Sequence, residues 1–283
     1  VAVCYNEAIP DDLLRLCMEI ISRGYTRPSI FNDGVIIKGL LDAGMSMEDA
    51  RYYIHSTCVE ITPIAASNVL VATPYINLNK GLEYLFNNGE RIYGNDFPLW
   101  EPVSFDLHEL EGFELFYDKI KAIISQILKK ALANIQDHAL YRERYSSSPL
   151  ASCFLNDCLE QGRDSGAGGA RYSFVYPCFP GFLNLVDSLS AIKKAVYDEH
   201  IATLEELGGA LKDNFEGSER LRAYLLNKCP KFGNDIEEVD KIASDLYMFI
   251  KGELDKFKIS VNGTFHPSYF AWIMHGILGE QAA

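Results

Sequence analysis

The sequence predicts an α/β fold. Two observations predict it. Apolar residues recur with helical spacing over most of the chain, and short β-branched or aromatic stretches break that spacing between the helices. The 283 residues are enough for one large domain or two modest ones, and enough to bury a substantial core.

Asp11 to Arg23 is the first amphipathic helix, with Leu13, Leu14, Cys17, Ile20 and Ile21 on one side. Asn32 to Asp42 is the second, ending near Gly44. Ser46 with Asp49 three residues later opens a third helix as an N-cap, expected to run to about His55. From Ser56 to Pro63 the pattern breaks into a loop or short strand. Ser67 to Thr73 is a short strand or buried loop. Ile76 to Asn87 is helical and is stopped by Asn88 and Gly89, and residues 94–104 form a loop. Phe113 to Tyr145 is the longest helical pattern. Leu150 to Gln161 is another helix, and the glycine-rich run from Gly162 to Gly169 is a flexible connection. Arg171 to Tyr176 is a strand, followed by a turn at Pro177 to Gly181. Helices follow at Asn184–Glu199, at Thr203–Asn214 with a Thr-x-x-Glu start, at Ser218–Asn227 and at Asp235–Lys256. Phe257 to Ser260 is read as a strand, and His266-Pro-Ser-Tyr269 as a helix start.

The net charge of −13 leaves no basic patch to neutralise phosphates, which argues against nucleic acid as a main partner. No apolar run approaches membrane-spanning length and no signal peptide is visible, so no membrane partner is expected. The seven cysteines have irregular spacing and form no metal-binding pattern. They read as reduced thiols of a cytoplasmic protein, with no metal. The chain starts at Val1 and stops at Ala283 just after a helix-like run, so it is read as an internal piece of a longer protein.

The sharpest local feature is Cys58-Val59-Glu60. A cysteine and a carboxylate two apart on extended backbone point the same way and can share a pocket. Read blandly, Cys58 is a small buried hydrophobe and Glu60 a surface charge or cap. His55, three residues earlier, admits a polar Cys–His nucleophile; a histidine at a helix end is otherwise a partner for the helix dipole. The glycines from Gly162 to Gly169 match no phosphate-cradling pattern. His266 and His275 are too far apart for a helical metal pair. Tyr52, Tyr53, Tyr75, Tyr172 and Tyr176 read as core or pocket-wall aromatics.

An ordered series of segments carries a resemblance. Arg27-Pro-Ser-Ile-Phe-Asn-Asp33, Gly44-Met-Ser-Met-Glu-Asp-Ala-Arg51 and Cys58-Val-Glu60 resemble the approach to the active-site cysteine loop of glycyl radical enzymes, the pyruvate formate-lyase-like family. Tyr75-Ile-Asn-Leu-Asn-Lys-Gly-Leu-Glu-Tyr84, Cys158-Leu-Glu-Gln-Gly-Arg-Asp164, Gly168-Gly-Ala-Arg-Tyr172, Asn184-Leu-Val-Asp-Ser-Leu-Ser-Ala-Ile-Lys193, Asn214-Phe-Glu-Gly217 and Lys231-Phe-Gly-Asn-Asp235 are similar to later segments of that family, in order.

The resemblance implies a ten-stranded α/β barrel of two five-stranded half-barrels wrapped by helices, with this chain its C-terminal part. It implies a glycyl radical domain after residue 283; no Arg-Val-x-Gly-Tyr motif occurs here, so this piece alone is expected to be inactive. It assigns Cys58 as the thiyl-radical residue, Glu60 as a general base and Tyr75 as a substrate-binding residue. The radical is expected to be installed by a partner activase using S-adenosylmethionine and an iron–sulfur cluster, and this piece to bind no cofactor itself. The full-length protein is expected to be a homodimer in the cytoplasm of an anaerobe or in a bacterial microcompartment. Val59 stands where pyruvate formate-lyase has a second cysteine, and the Cys-x-Glu pattern resembles the eliminating members. A C–O or C–N lyase of dehydratase type acting on a small hydroxylated substrate is therefore expected. Formate C-acetyltransferase and arylacetate decarboxylase are the alternatives inside the family, and a non-catalytic scaffold or partner-binding relative is the alternative outside it. Thr57, and Ile61-Thr62 after the glutamate, depart from the usual glycine and Pro-Gln of the family.

Overall fold

The computed structural model describes residues 2–25, 27–55, 60–70, 74–89, 106–259 and 263–269. The architecture is α/β with many helices, as the periodicity predicts. It opens with β1 (Ala2–Tyr5), α1 (Asp11–Ser22) and β2 (Ser29–Asn32), and β1 lies parallel to β2 with Ala2 opposite Ser29 and Tyr5 opposite Asn32. Neither strand stands out in the sequence. Four residues are too few to show an alternation, and a parallel pair draws its hydrogen bonds from a segment a helix away.

α2 (Asp33–Asp42) starts where the Asn32 side chain accepts a hydrogen bond from Val35 N at 3.2 Å. α3 (Met47–Arg51) is capped by Ser46, whose hydroxyl accepts from Asp49 N at 3.0 Å. The helix expected to reach His55 therefore ends early. Tyr53–His55 is instead β3, antiparallel to β4 (Ile61–Pro63). Tyr52, Tyr53 and Ile54 in succession favour a pleated, half-buried surface over a helix once a partner strand is supplied.

Next come β5 (Ser67–Leu70), α4 (Lys80–Phe86) and α5 (Phe113–Tyr145). α4 begins four residues later than expected because Asn77 bonds locally, its side chain accepting from Asn79 N at 3.0 Å. The helix expected over Leu150–Gln161 is two short pieces, α6 (Pro149–Ser152) and α7 (Cys158–Gln161), separated by Asp157 at φ +75°. β6 (Tyr172–Val175) matches its prediction. α8 (Phe182–Ile192) passes into a π-helical turn at Lys193–Asp198, where Lys193 Nζ reaches Asp198 at 2.8 Å, five residues on. α9 (Leu204–Lys212) carries the full capping box of Thr203 and Glu206, and α10 (Glu219–Lys228) and α11 (Glu237–Leu254) follow. The strand expected at Phe257–Ser260 is absent over the described residues 257–259, and β7 is Gly263–Phe265. β5, β6 and β7 form a three-stranded sheet in that order.

The chain forms two compact units, one of Val1–Val71, Ala139–Phe174 and Ser260–Gly263, the other of Ala72–His138, Val175–Ile259 and Thr264–Ala283. In the second unit Phe116, Ile120, Ile124, Leu128 and Leu132 are buried at spacings of four along α5, and Leu185, Leu189, Leu246 and Ile250 are buried on α8 and α11. Ser125 donates to the buried Glu253 at 2.7 Å. His266 to Tyr269 is extended rather than the start of a helix. His266 N donates to Val175 O and Ser268 N to Pro177 O, each at 2.9 Å, and Cys178 is bridged in parallel by Tyr75 on one side and Ser268 on the other.

In the first unit the glycine-rich run is a built turn rather than a flexible connection. Asp164 accepts from Gly166 N, from Ser148 N and from the Ser152 hydroxyl, at 2.8, 2.7 and 3.0 Å. The Ser152 hydroxyl in turn accepts from Ser165 N at 2.9 Å. A Cβ on Gly169 would stand 2.0 Å from the Arg163 carbonyl oxygen, so the turn closes only with glycine there. Gly169→Ala is expected to destabilise the protein by ~1–3 kcal/mol, the range for forced overpacking. Urea denaturation measures this, and a midpoint equal to that of the parent would show that the turn opens without penalty.

Candidate active site

β3 and β4 pair as Tyr53 with Pro63, Ile54 with Thr62 and His55 with Ile61, and Ile64 N donates to Tyr52 O at 2.8 Å beyond the Tyr53–Pro63 pair, at the end away from the connection. The strands are joined by five residues, 56–60. Cys58 is the middle one in sequence and lies outside the described residues. Glu60, the last of the five, is only 5% exposed. The surface-charge reading of Glu60 is thereby excluded, because a carboxylate leaves water at a cost of several kcal/mol unless a defined environment receives it.

Alternation along β3 places Tyr53 and His55 on one face and the exposed Ile54 on the other. That inner face meets the carboxyl ends of the parallel strands. The Tyr53 hydroxyl donates a short hydrogen bond to Asp33 Oδ1, and Asn6 Nδ2 donates to Asp33 Oδ2 at 2.9 Å. Asn6 and Asp33 are the residues that follow the paired Tyr5 and Asn32. Open α/β folds place ligand sites at this edge of the sheet. Burial, then the bonds to Asp33 and Cys4, push the Tyr53 phenol far above its ordinary value, so it remains a donor. The His55 ring lies 4.6 Å from the Phe31 ring on β2, tilted by 35°. His55 sits on a strand, so the helix-end reading of this residue is corrected.

Beyond β4 the chain is tied down again. Asn156 N donates to Ala65 O at 2.7 Å and Tyr172 N to Ala66 O at 2.9 Å. Asp49 collects a cluster around this point. The Tyr172 hydroxyl donates to it at 2.9 Å while accepting from Ser46 N, the Ser46 hydroxyl donates at 2.9 Å, and Arg171 bridges Asp49 to Asp157 at 3.2 and 2.8 Å. Burial alone would raise the Asp49 carboxyl, but the bonds from Ser46, Tyr172 and Arg171 outweigh it and hold it below the usual aspartate value.

Tyr75 belongs to the second unit and is 50% exposed, bridged through its backbone to Cys178. The same unit holds an apolar groove of about 620 Å³ walled by Leu82, Phe86, Leu207, Phe215 and Leu226. At its rim Asp187 accepts from Phe232 N at 2.8 Å, and Ser190, outside the groove, donates to Pro230 O at 3.2 Å, so α8 is joined to the segment at 230–232. Among the described residues no group of three or more His, Cys, Asp or Glu side chains could hold a metal, and no helix is long and apolar enough to cross a membrane. Reading the sequence for chemistry passes over Asp33 and Asn6. The available signal is Asp33 closing the segment Arg27–Asp33, which carries the first resemblance.

The model of the family described as pyruvate formate lyase-like matches residues 1–279. Trans-4-hydroxy-L-proline dehydratase of Clostridioides difficile is 29% identical over 97% of this chain and 34% of its own length. (2S)-3-sulfopropanediol dehydratase of Klebsiella oxytoca is 32% identical over 88% of this chain and 30% of its own. The glycerol-bound B12-independent glycerol dehydratase of Clostridium butyricum superposes with a TM-score of 0.82 at 30% identity, over 94% of this chain and 33% of that one. The chain thus spans about a third of the length of the curated relatives it matches.

The Asp49 cluster makes a pH prediction. A carboxyl depressed in the folded state stabilises fully above its unfolded value of about 4, and that contribution is lost as pH falls through the lower folded value. Asp49→Asn is expected to lower stability near neutrality and to flatten the acid limb below about pH 4. Urea titrations at about pH 7 and about pH 3 measure both, and an acid limb as steep as the parent's would assign the acid loss to other carboxylates.

Proposed function

Because the chain belongs to the pyruvate formate lyase-like family, we propose that it is the barrel segment of a glycyl radical enzyme that eliminates water, or another leaving group, from a small hydroxylated substrate. The observation that carries this reading is the burial of Glu60 at the foot of the five-residue connection that holds Cys58. Three relatives named as dehydratases, matching most of the chain, support elimination over acyl transfer, as does Val59 in the place of a second cysteine.

In this reading a glycyl radical on another segment of the longer protein supplies the hydrogen acceptor. The S–H bond of Cys58 gives up its hydrogen atom to it. The Cys58 thiyl sulfur then takes a hydrogen atom from the hydroxyl-bearing carbon of the substrate. Glu60 takes the proton of that hydroxyl as the neighbouring C–O bond breaks, and protonated Glu60 returns that proton to the departing hydroxide, so that water leaves and the carboxylate is restored. The product radical recovers its hydrogen atom from Cys58, so hydrogen atoms balance over the cycle. A buried setting favours this chemistry, because water and other quenchers are kept from the radicals. Tyr75 is assigned to the substrate pocket.

The parallel pair β1–β2 fits one edge of a half-barrel in a ten-stranded barrel. Its residues are only half-buried or exposed, whereas parallel sheets are normally covered on both faces, so further strands of a longer protein are expected to complete it. On the same footing the chain is read as part of one barrel domain. Its activator is a radical S-adenosylmethionine activase with an iron–sulfur cluster, the full-length protein is a homodimer, and it works in an anaerobic cytoplasm or a microcompartment.

Cys58→Ser in the activated full-length protein is expected to abolish turnover while the glycyl radical signal in electron paramagnetic resonance persists. Glu60→Gln is expected to lower turnover ~100-fold or more, the usual weight of a general base. Full turnover by Glu60→Gln, with the radical present, removes Glu60 from the role of base.

A further inference from the structure

The helices of the second unit are held to very different degrees. α8 buries seven of its eleven residues, α9 four of nine and α11 seven of eighteen. α10 buries none of its ten. Leu221, Tyr224 and Leu225 are half-buried, and Leu226 is 51% exposed. A helix this short is marginal in water by itself, so its neighbours decide how firmly it is held.

α10 stands over the apolar groove. Leu225 and Leu226 belong to its outer wall, and the buried Phe86, Ala191, Ile192 and Leu207 form its floor. The groove of about 620 Å³ keeps these walls apart, so the dispersion contacts that close packing would supply are missing.

Two contacts at exposed positions latch α10 to the π-helical turn at Lys193–Asp198. The Tyr224 hydroxyl donates a short hydrogen bond to Glu199 Oε2, and Lys194 Nζ donates to Lys228 O at 2.8 Å. Lys194 and Glu199 also pair with each other at 3.5 Å, so both latches meet at one ion pair. Water competes for bonds at such positions, which keeps their net worth small. The two ends of the helix differ. Past its C-terminus Cys229 is buried, Pro230 O accepts from Ser190 and Phe232 N donates to Asp187, so the chain is anchored there. Before its N-terminus Asn214, Phe215 and Gly217 stand at φ +48°, +59° and +76°, a turn made of left-handed residues between two helices.

We propose that α10 is a hinged cover. It swings on the anchored segment at 229–232, the turn at 213–218 absorbs the change, and the floor of the groove is uncovered while α8, α9 and α11 stay folded. Lys194 and Glu199 are the catch. The cost of opening is set by what is lost, and here that is a few half-buried side chains and two exposed bonds, far less than releasing α8. The device goes beyond the radical chemistry proposed above and does not depend on it.

The experiment is hydrogen exchange read by mass spectrometry on the full-length protein, with no activation needed. Residues 219–228 are expected to exchange ~100-fold or more faster than residues 182–192. Tyr224→Phe and Lys194→Met are each expected to quicken 219–228 by ~3–10-fold and to leave α8 and α11 as in the parent. Ala191→Cys places a thiol on the groove floor. Its alkylation by iodoacetamide, located by peptide mass, is expected to quicken by the same factor when Tyr224→Phe is added. Exchange of 219–228 as slow as that of 182–192 overturns the proposal. So do latch variants that exchange at the parental rate, or that quicken α8, α10 and α11 together. A floor thiol that reacts no faster with the latch removed overturns it too, because α10 then frays without lifting. If Ala191→Cys fails to fold, exchange in the parent and the two latch variants carries the test.

Discussion

Three backbone pairings, from Tyr53 with Pro63 to His55 with Ile61, support the connection on which the proposed chemistry depends. That is too little structure to stand in water unaided. The first unit is arranged around this shortage. Asp33 and Phe31 hold the rising strand from the sheet side. Asn156 and Tyr172 hold the chain just past the falling strand through Ala65 and Ala66. Asp49 and Arg171 then fasten α3 to the segments at 157 and 171–172, so the outer frame is braced by charge as well as by backbone bonds.

The braces differ in what they resist. The bonds to Ala65 and Ala66 are backbone bonds and depend on chain path, so they tolerate change in side chains. The Asp49 cluster has its carboxylate largely buried, which makes its hydrogen-bond partners necessary rather than decorative. Tyr53 on Asp33 lies between the two kinds. Burial keeps the phenol protonated, and so the donor is present across the whole range in which an enzyme operates.

Several segments that carry the family resemblance turn out to be architectural. Asp164 organises the turn at 164–166, and Gly169 is required by the approach of the Arg163 carbonyl. Asp187 and Ser190 anchor residues 230–232, and Asn79 donates to the Gly181 carbonyl at 3.0 Å. Such residues fix chain path, and a functional site takes its geometry from them. The comparison with dehydratases therefore bears on the fold.

What the sequence by itself determined is the part governed by local chemistry. Helical spacing located α1, α2, α5, α9 and α11 closely, and the caps at Ser46 and Thr203 stand where the pattern puts them. The triplet at Cys58–Glu60 and the ordered segments pointed to the family from side-chain identity alone. What only the tertiary structure decided is everything that needs a distant partner. Tyr53–His55 reads as the tail of a helix until β4 is beside it, and 162–169 reads as flexible until Asp164 closes it. β1 and β2 are invisible until they pair. The burial of Glu60 is a property of the folded chain, and the meeting of Asp33 with Tyr53 depends on packing between residues twenty apart, which no local propensity encodes.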